Sequence, residues 1–193
     1  MKPLLRLFSF APALCLALPL SAQDMPEMPQ PGPQHAKLAQ TAGTWDAAME
    51  MTGPDGQPMT SKGVSVVTVA LGGFWIVDDF TAELMGMKFV GHGMNGYDPI
   101  KGKYVSIWTD SMSPFPMIME GDYDESGKVL TMTGMGIGHD GQPAKHRLVT
   151  IHKDANTNLF EMYVADADGE ETKTMTITYK RRPAKAAEAS GRK

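Results

Sequence analysis

The chain predicts an all-β protein, an antiparallel up-and-down barrel of about ten strands entered through one short helix. Three observations carry this. From Gly43 onward apolar residues recur with a period of two, as in Trp45, Ala47, Met49 and Met51, the spacing of side chains on one strand face. Turn sequences such as Gly53-Pro-Asp-Gly56, Gly72-Gly73, Asp98-Pro-Ile-Lys-Gly102, Asp124-Glu-Ser-Gly127 and Asp166-Ala-Asp-Gly169 break these runs, at intervals of roughly a dozen residues. No helical stretch lies between the runs, and parallel strands would need such crossovers. Consecutive hairpins without a Greek-key return favour a barrel over a sandwich, and closure removes sheet edges.

Residues 1–22 read as a secretory signal. Lys2 and Arg6 precede the apolar run Leu7 to Leu20, which is too short to span a bilayer. Cleavage is expected after Leu20-Ser21-Ala22, giving a periplasmic or secreted protein. Cys15, the chain's one cysteine, follows Leu14 inside that run. A lipoprotein signal would place a small residue there, so no stable membrane anchor is expected. Cleavage also leaves no disulfide or thiolate chemistry. Residues 23–33 form a linker rich in Pro and Met, residues 34–180 the barrel domain, and residues 181–193 a basic disordered tail.

Gln34 to Ala42 predicts the helix, with Pro33 in its first turn and Gly43 as its stop. Strands are expected at Thr44–Met51, Ser61–Leu71, Phe74–Ala82, Lys88–Tyr97, Val129–Ile137, His146–Lys153, Asn158–Ala165 and Thr172–Lys180. Tyr104 to Tyr123 supplies two more as a hairpin. Pro cannot donate to a ladder, so Ser113-Pro-Phe-Pro116 is read as its turn. A turn centred there sets Asp110 and Glu120 roughly opposite each other. Trp45, directly after the helix stop, is expected to be buried at the covered barrel end.

The chain carries a formal charge of −4, and with Lys2, Arg6 and the basic residues from Lys180 onward set aside, the body from Gln23 to Tyr179 is strongly acidic. Nucleic-acid binding is not expected, because phosphate contacts need clustered Lys and Arg. The sequence holds 16 Met, many at strand positions: Met49, Met87, Met94, Met117, Met119, Met132, Met135, Met162 and Met175. Methionine is flexible and polarizable and suits an irregular apolar cavity, so the expected partner is a small apolar or amphipathic molecule. Arg147 is the one Arg between Gln23 and Tyr179. It is expected to point inward and pair with Asp79, Asp110 or Glu120, a task that suits the guanidinium fork better than Lys.

The candidate ligand-binding residues are thus Trp108, Asp110, Met117, Met119 and Glu120 on the hairpin, together with Arg147. Two alternatives stand beside this reading. Asp110 and Glu120 would serve an enzyme as acid and base if their environments separated their pKa values. One inward His would serve a haem- or metal-binding barrel. The histidines show no metal-ligand spacing. His146 and His152 share a strand face about 20 Å apart and cannot share one metal. No catalytic residue, resident metal or named cofactor is assigned.

A further pattern lies in Gly43-Thr-Trp-Asp46, Leu71-Gly-Gly73, Gly96-Tyr-Asp98, Trp108-Thr-Asp-Ser-Met112, Glu120-Gly-Asp-Tyr-Asp124, Phe160-Glu-Met-Tyr163 and Lys173-Thr-Met-Thr-Ile-Thr-Tyr-Lys180. In order and spacing these resemble the bacterial domain-of-unknown-function family 1579, from about Pro31 to Arg181. Ser113-Pro-Phe-Pro116 departs from the family pattern. The resemblance implies a lipocalin-like barrel and carries over no activity and no functional residues. Gly43-x-Trp45 after a short helix also resembles the first-strand signature of lipocalins.

Overall fold

The structure, a computed structural model, describes residues 28–53, 56–138 and 140–183. The expected signal, residues 23–27 of the expected linker and residues 184–193 of the expected tail lie outside these residues, as does His139.

The helix α1 (Pro33–Ala39) leads into ten strands: β1 (Gly43–Thr52), β2 (Pro58–Ala70), β3 (Trp75–Leu84), β4 (Met87–Asp98), β5 (Lys103–Asp110), β6 (Ser113–Tyr123), β7 (Val129–Ile137), β8 (Pro143–Asp154), β9 (Thr157–Ala165) and β10 (Glu171–Arg181). Each strand pairs antiparallel with its sequence neighbours, and β10 returns to β1 to close the barrel. This is the expected all-β up-and-down architecture. The period of two becomes burial directly: in β1 Trp45, Ala47 and Met49 are buried while Asp46, Ala48 and Glu50 are exposed.

One end of the barrel is covered. Leu38 of α1 packs into a buried cluster with Trp45, Val67, Ile76 and Tyr104. His35 meets Phe74 and Tyr97 edge-on at 5.3 and 6.1 Å and accepts the Gly32 N–H at 2.9 Å. The helix stops at Ala39, short of the expected Ala42. The turn that follows puts the Thr41 carbonyl where Trp45 Nε1 donates to it at 2.9 Å. Trp45 is therefore the expected buried plug. Arg181, the last residue of β10, lies 4.0 Å over its ring and donates to the carbonyls of Gln40 and Ala42. These carbonyls follow the helix end and need an outside donor. Gly43 makes this approach possible: its φ is +141°, and a Cβ there would collide with the Arg181 guanidinium.

Two expectations are corrected. The β5–β6 hairpin turns at Ser111 and Met112, and Pro114 to Pro116 lie within β6. These prolines precede the first β6–β7 pair, Ile118 with Met135, so no β7 partner calls for their missing N–H groups. The register then pairs Asp110 with Ser113 and Glu120 with Val105. Asp110 faces inward at the open rim. Glu120 faces outward, 2.7 Å from Lys101 Nζ. The two acids do not share a site.

Arg147 also faces outward. His146 is 3 % exposed, and alternation sends its neighbour to the other side. The Arg147 guanidinium lies 3.9 Å over the Tyr163 ring and 2.6 Å from Glu171, not against any of the expected acids. Asp79 is likewise outside, 2.6 Å from His92 Nδ1.

Two measurements check this packing. Trp45→Ala should cost about 3–5 kcal/mol in urea unfolding, and a loss below about 1 kcal/mol would contradict the plug. Arg147→Met should cost no more than about 1 kcal/mol, the range of partly exposed ion and cation–π pairs. A loss above about 3 kcal/mol would show that the outer-wall pair matters more than its exposure allows.

Candidate functional site: the barrel cavity

Barrels of eight strands already have room for one small ligand, and ten inward faces leave more. The interior holds a cavity of about 530 Å³, within the range of small-molecule sites. Its open mouth lies opposite α1, where Met51, Leu84, Phe89, Met112 and Met175 line it; Met49, Met117, Phe80, Phe160 and Met162 continue the apolar wall. Among the methionines at strand positions, Met94 and Met135 take the outer face by alternation. Met87 pairs with Leu84 on the inward parity but lies at the end of its strand, and Met87 and Met135 are each more than half exposed.

The floor is aromatic and polar. Tyr97, Tyr104 and Tyr123 follow one another edge-on at 5.2 and 5.0 Å, and His152 stacks on Tyr123 at 5.6 Å. His152 Nδ1 lies 2.9 Å from Asn158 Oδ1, and His152 Nε2 lies 2.9 Å from the Tyr123 hydroxyl. A carbonyl oxygen only accepts, so Nδ1 donates to Asn158, and in the neutral ring Nε2 accepts from the phenol. Burial first, then the neighbouring Tyr104, pushes the Tyr123 phenol well above its ordinary range.

Asp78 is the acid that alternation on β3 places inside, between Ile76 and Phe80. It accepts from the buried Ser65 hydroxyl at 2.6 Å. Burial raises its carboxyl above the usual carboxylate range, the Ser65 hydrogen bond pulls it partly back, and Asp79 adds to the rise. Tyr179 stands close enough to feel it: burial, and then the Asp78 charge, push its phenol far up. Across the glycines of β4 lies Trp108. Its indole covers Gly91, where a Cβ would collide with the ring. Trp108 Nε1 donates to Asp110 Oδ2 at 3.0 Å, and Asp110 Oδ1 accepts the Met112 N–H at 2.8 Å. Asp110 thus fixes both the indole and the rim turn.

Of the six residues singled out from sequence, Trp108, Asp110 and Met117 line the cavity. Met119 faces inward but is 1 % exposed and packed beneath it, while Glu120 and Arg147 stand on the outer wall. Asp78, Ser65, Tyr123, His152 and Tyr179 escaped the sequence reading. The alternation Ile76, Asp78, Phe80 is the available signal for Asp78, and the adjacent acid Asp79 obscures it. His146 faces inward near the rim, with Nε2 3.2 Å from the Ile137 carbonyl. Among the described residues no three of His, Cys, Asp or Glu are grouped as metal ligands, and no Lys or Arg lines the cavity. The site can hold an apolar body and offer acids, hydroxyls and aromatic faces to a polar end.

The raised Asp78 carboxyl has a consequence for stability. Its range is higher in the folded than in the unfolded chain, so ionising it at neutral pH disfavours the fold, and the penalty disappears as pH falls through the raised range. Asn can still accept from Ser65. Asp78→Asn should therefore raise Tm by about 2–4 °C at pH 7 and by less at pH 4. A lowered Tm, or an equal rise at both pH values, would contradict the burial of this charge.

Comparison with known proteins agrees with the architecture. No curated protein matches the chain. Among solved structures, Rv2717c from M. tuberculosis superposes with a TM-score of 0.58 at 12 % identity, covering 79 % of this chain and 99 % of that one. The S-type phycobiliprotein lyase CPES from Guillardia theta does so with a TM-score of 0.54 at 10 % identity, covering 80 % and 100 %. At such identities the likeness is one of fold. The family model described as "Protein of unknown function (DUF1579)" matches residues 30–181, from the approach to α1 through the end of β10, and the chain belongs to that family.

Proposed function

We propose that the protein is an exported binding protein that holds a small apolar or amphipathic molecule in its barrel. The observation that supports this most is the cavity of about 530 Å³. A solid core would have no reason to leave such a void, because interiors otherwise pack to crystal density. Its wall of Met, Phe and Trp offers dispersion contact without fixed shape. Trp108, Asp110 and Met117 form the ligand wall at the mouth, with Met119 as packing beneath it. The signal-like residues 1–22 support delivery outside the cytoplasm.

Titration with Nile red, an uncharged apolar dye, tests the reading. The full-length protein should give saturable fluorescence enhancement. Ser106 lines the cavity with a small side chain, and Ser106→Trp should fill the space and weaken binding by about tenfold or more, roughly 1.4 kcal/mol. Unchanged dye affinity in a Ser106→Trp protein that melts cooperatively would place the dye elsewhere and remove the support for a cavity ligand.

A further inference from the structure

The polar side of the cavity has a definite sign. Besides the phenols of Tyr104, Tyr123 and Tyr179, its ionisable lining groups among the described residues are Asp78, Asp110 and His152, with no Lys or Arg. Asp110 is occupied at the rim by Trp108 Nε1 and the Met112 N–H. Among the described residues Asp78 has only the Ser65 hydroxyl as a hydrogen-bond donor, and His92, which also acts on its carboxyl, lies on the outer wall. A carboxylate kept in an apolar wall without a cation is costly.

The register puts something specific beside it. Gly93 of β4 pairs with Asp78 on one side and with Trp108 on the other. A Cβ on Gly93 would stand 3.4 Å from Asp78 Cβ and 3.3 Å from Trp108 Cε3. Without a side chain on Gly93, Asp78 and the Trp108 indole close in from its two flanks so far that a methyl there would already be crowded, and the cavity wall carries a shallow notch between a carboxylate and an indole. Tyr179 is near enough for the Asp78 charge to act on its phenol. A carboxylate beside aromatic faces is the chemistry that holds an ammonium group, through a charge-assisted hydrogen bond and through the ring quadrupole. Above the notch the wall turns apolar. β3 runs from Asp78 to Leu84 at the mouth, about 20 Å along the strand, past Phe80, which packs in one apolar cluster with Met49 and Phe160.

We propose that the Asp78–Gly93–Trp108 notch takes the ammonium head of a cationic amphiphile whose apolar tail lies along the upper cavity. This rests on the cavity being a ligand site and adds the charge of the ligand's head. An arriving ammonium supplies the counter-charge the wall lacks, and Asp78 then stays ionised beside it. A carboxylate or phosphate head meets the opposite condition, two like charges in an apolar enclosure.

Three ligands with one tail test it: dodecylamine, dodecanol and dodecanoate, titrated below their micellar concentrations at pH 7 by calorimetry. At this pH the amine is protonated and the acid ionised. Dodecylamine should bind about tenfold or more tighter than dodecanoate, the worth of one charge-assisted hydrogen bond. Asp78→Asn should remove that preference, weakening dodecylamine at least about tenfold more than dodecanol. Gly93→Ala, which narrows the notch while keeping the carboxylate, should weaken the amine and spare the alcohol. Dodecanoate binding as tightly as the amine, or an amine preference that survives in Asp78→Asn, overturns the proposal while the cavity reading stands. Failure of all three ligands to bind overturns both.

Discussion

Where β1 meets β10, Trp45 stands beside Arg181, and the guanidinium over the indole reaches on to the carbonyls behind α1. One side chain thus joins the first strand, the last strand and the helix. The seam fixes which way every other strand faces. Once Trp45, Ala47 and Met49 point inward, antiparallel register passes that choice from strand to strand around the ring. The inward set then includes Asp78, Trp108, Tyr123 and His152, and the outward set Asp79, Glu120 and Arg147. The cavity's chemistry is in this sense decided at the seam. The Gly43 backbone is what lets the seam close, since any Cβ there would displace the guanidinium.

The interior mixes two kinds of group that a purely structural core would separate. Methionine and phenylalanine provide an adaptable apolar lining. Asp78, Tyr179 and the Tyr123–His152–Asn158 chain place polar atoms within it. Each is hydrogen-bonded or weighed down by burial, and Asp78 bears that load without a Lys or Arg on the cavity wall. Proteins keep such groups where binding needs them, because stability alone favours an apolar replacement.

The fold was legible because its signal is local and repeated. Alternation and turn sequences recur along the whole chain, and Val129–Ile137 emerged with the ends the structure gives it. The helix was found for the same reason, with its C-terminal end misjudged by a turn that tertiary contacts impose. The site was only partly legible. Trp108, Asp110 and Met117 share one parity on one hairpin, so reading the hairpin found them. Glu120 was misplaced because Pro114 and Pro116 were read as the turn, when they continue a strand that runs past its neighbour. Arg147 differs from expectation because rarity does not imply burial, and His146 and Leu148 on either side of it claim the inner face. The His152 relay joins strands β6, β8 and β9, and no local pattern reports a contact that depends on how a ring closes.

The clamp at Arg181 also bears on how the barrel comes into being. Its bond to the Ala42 carbonyl spans 139 residues, and β1 finds its second neighbour only when β10 arrives. Such a long-range pairing cannot nucleate early, since loop closure must be met before the contact rewards it. Until then β1 and the growing end of the sheet are both open edges, able to pair with another chain. A polypeptide ending before β10 would keep both edges permanently, and it would have neither the guanidinium over Trp45 nor the donors behind α1. The hazard for this protein is therefore association of unfinished chains, concentrated in the interval before its last strand is in place.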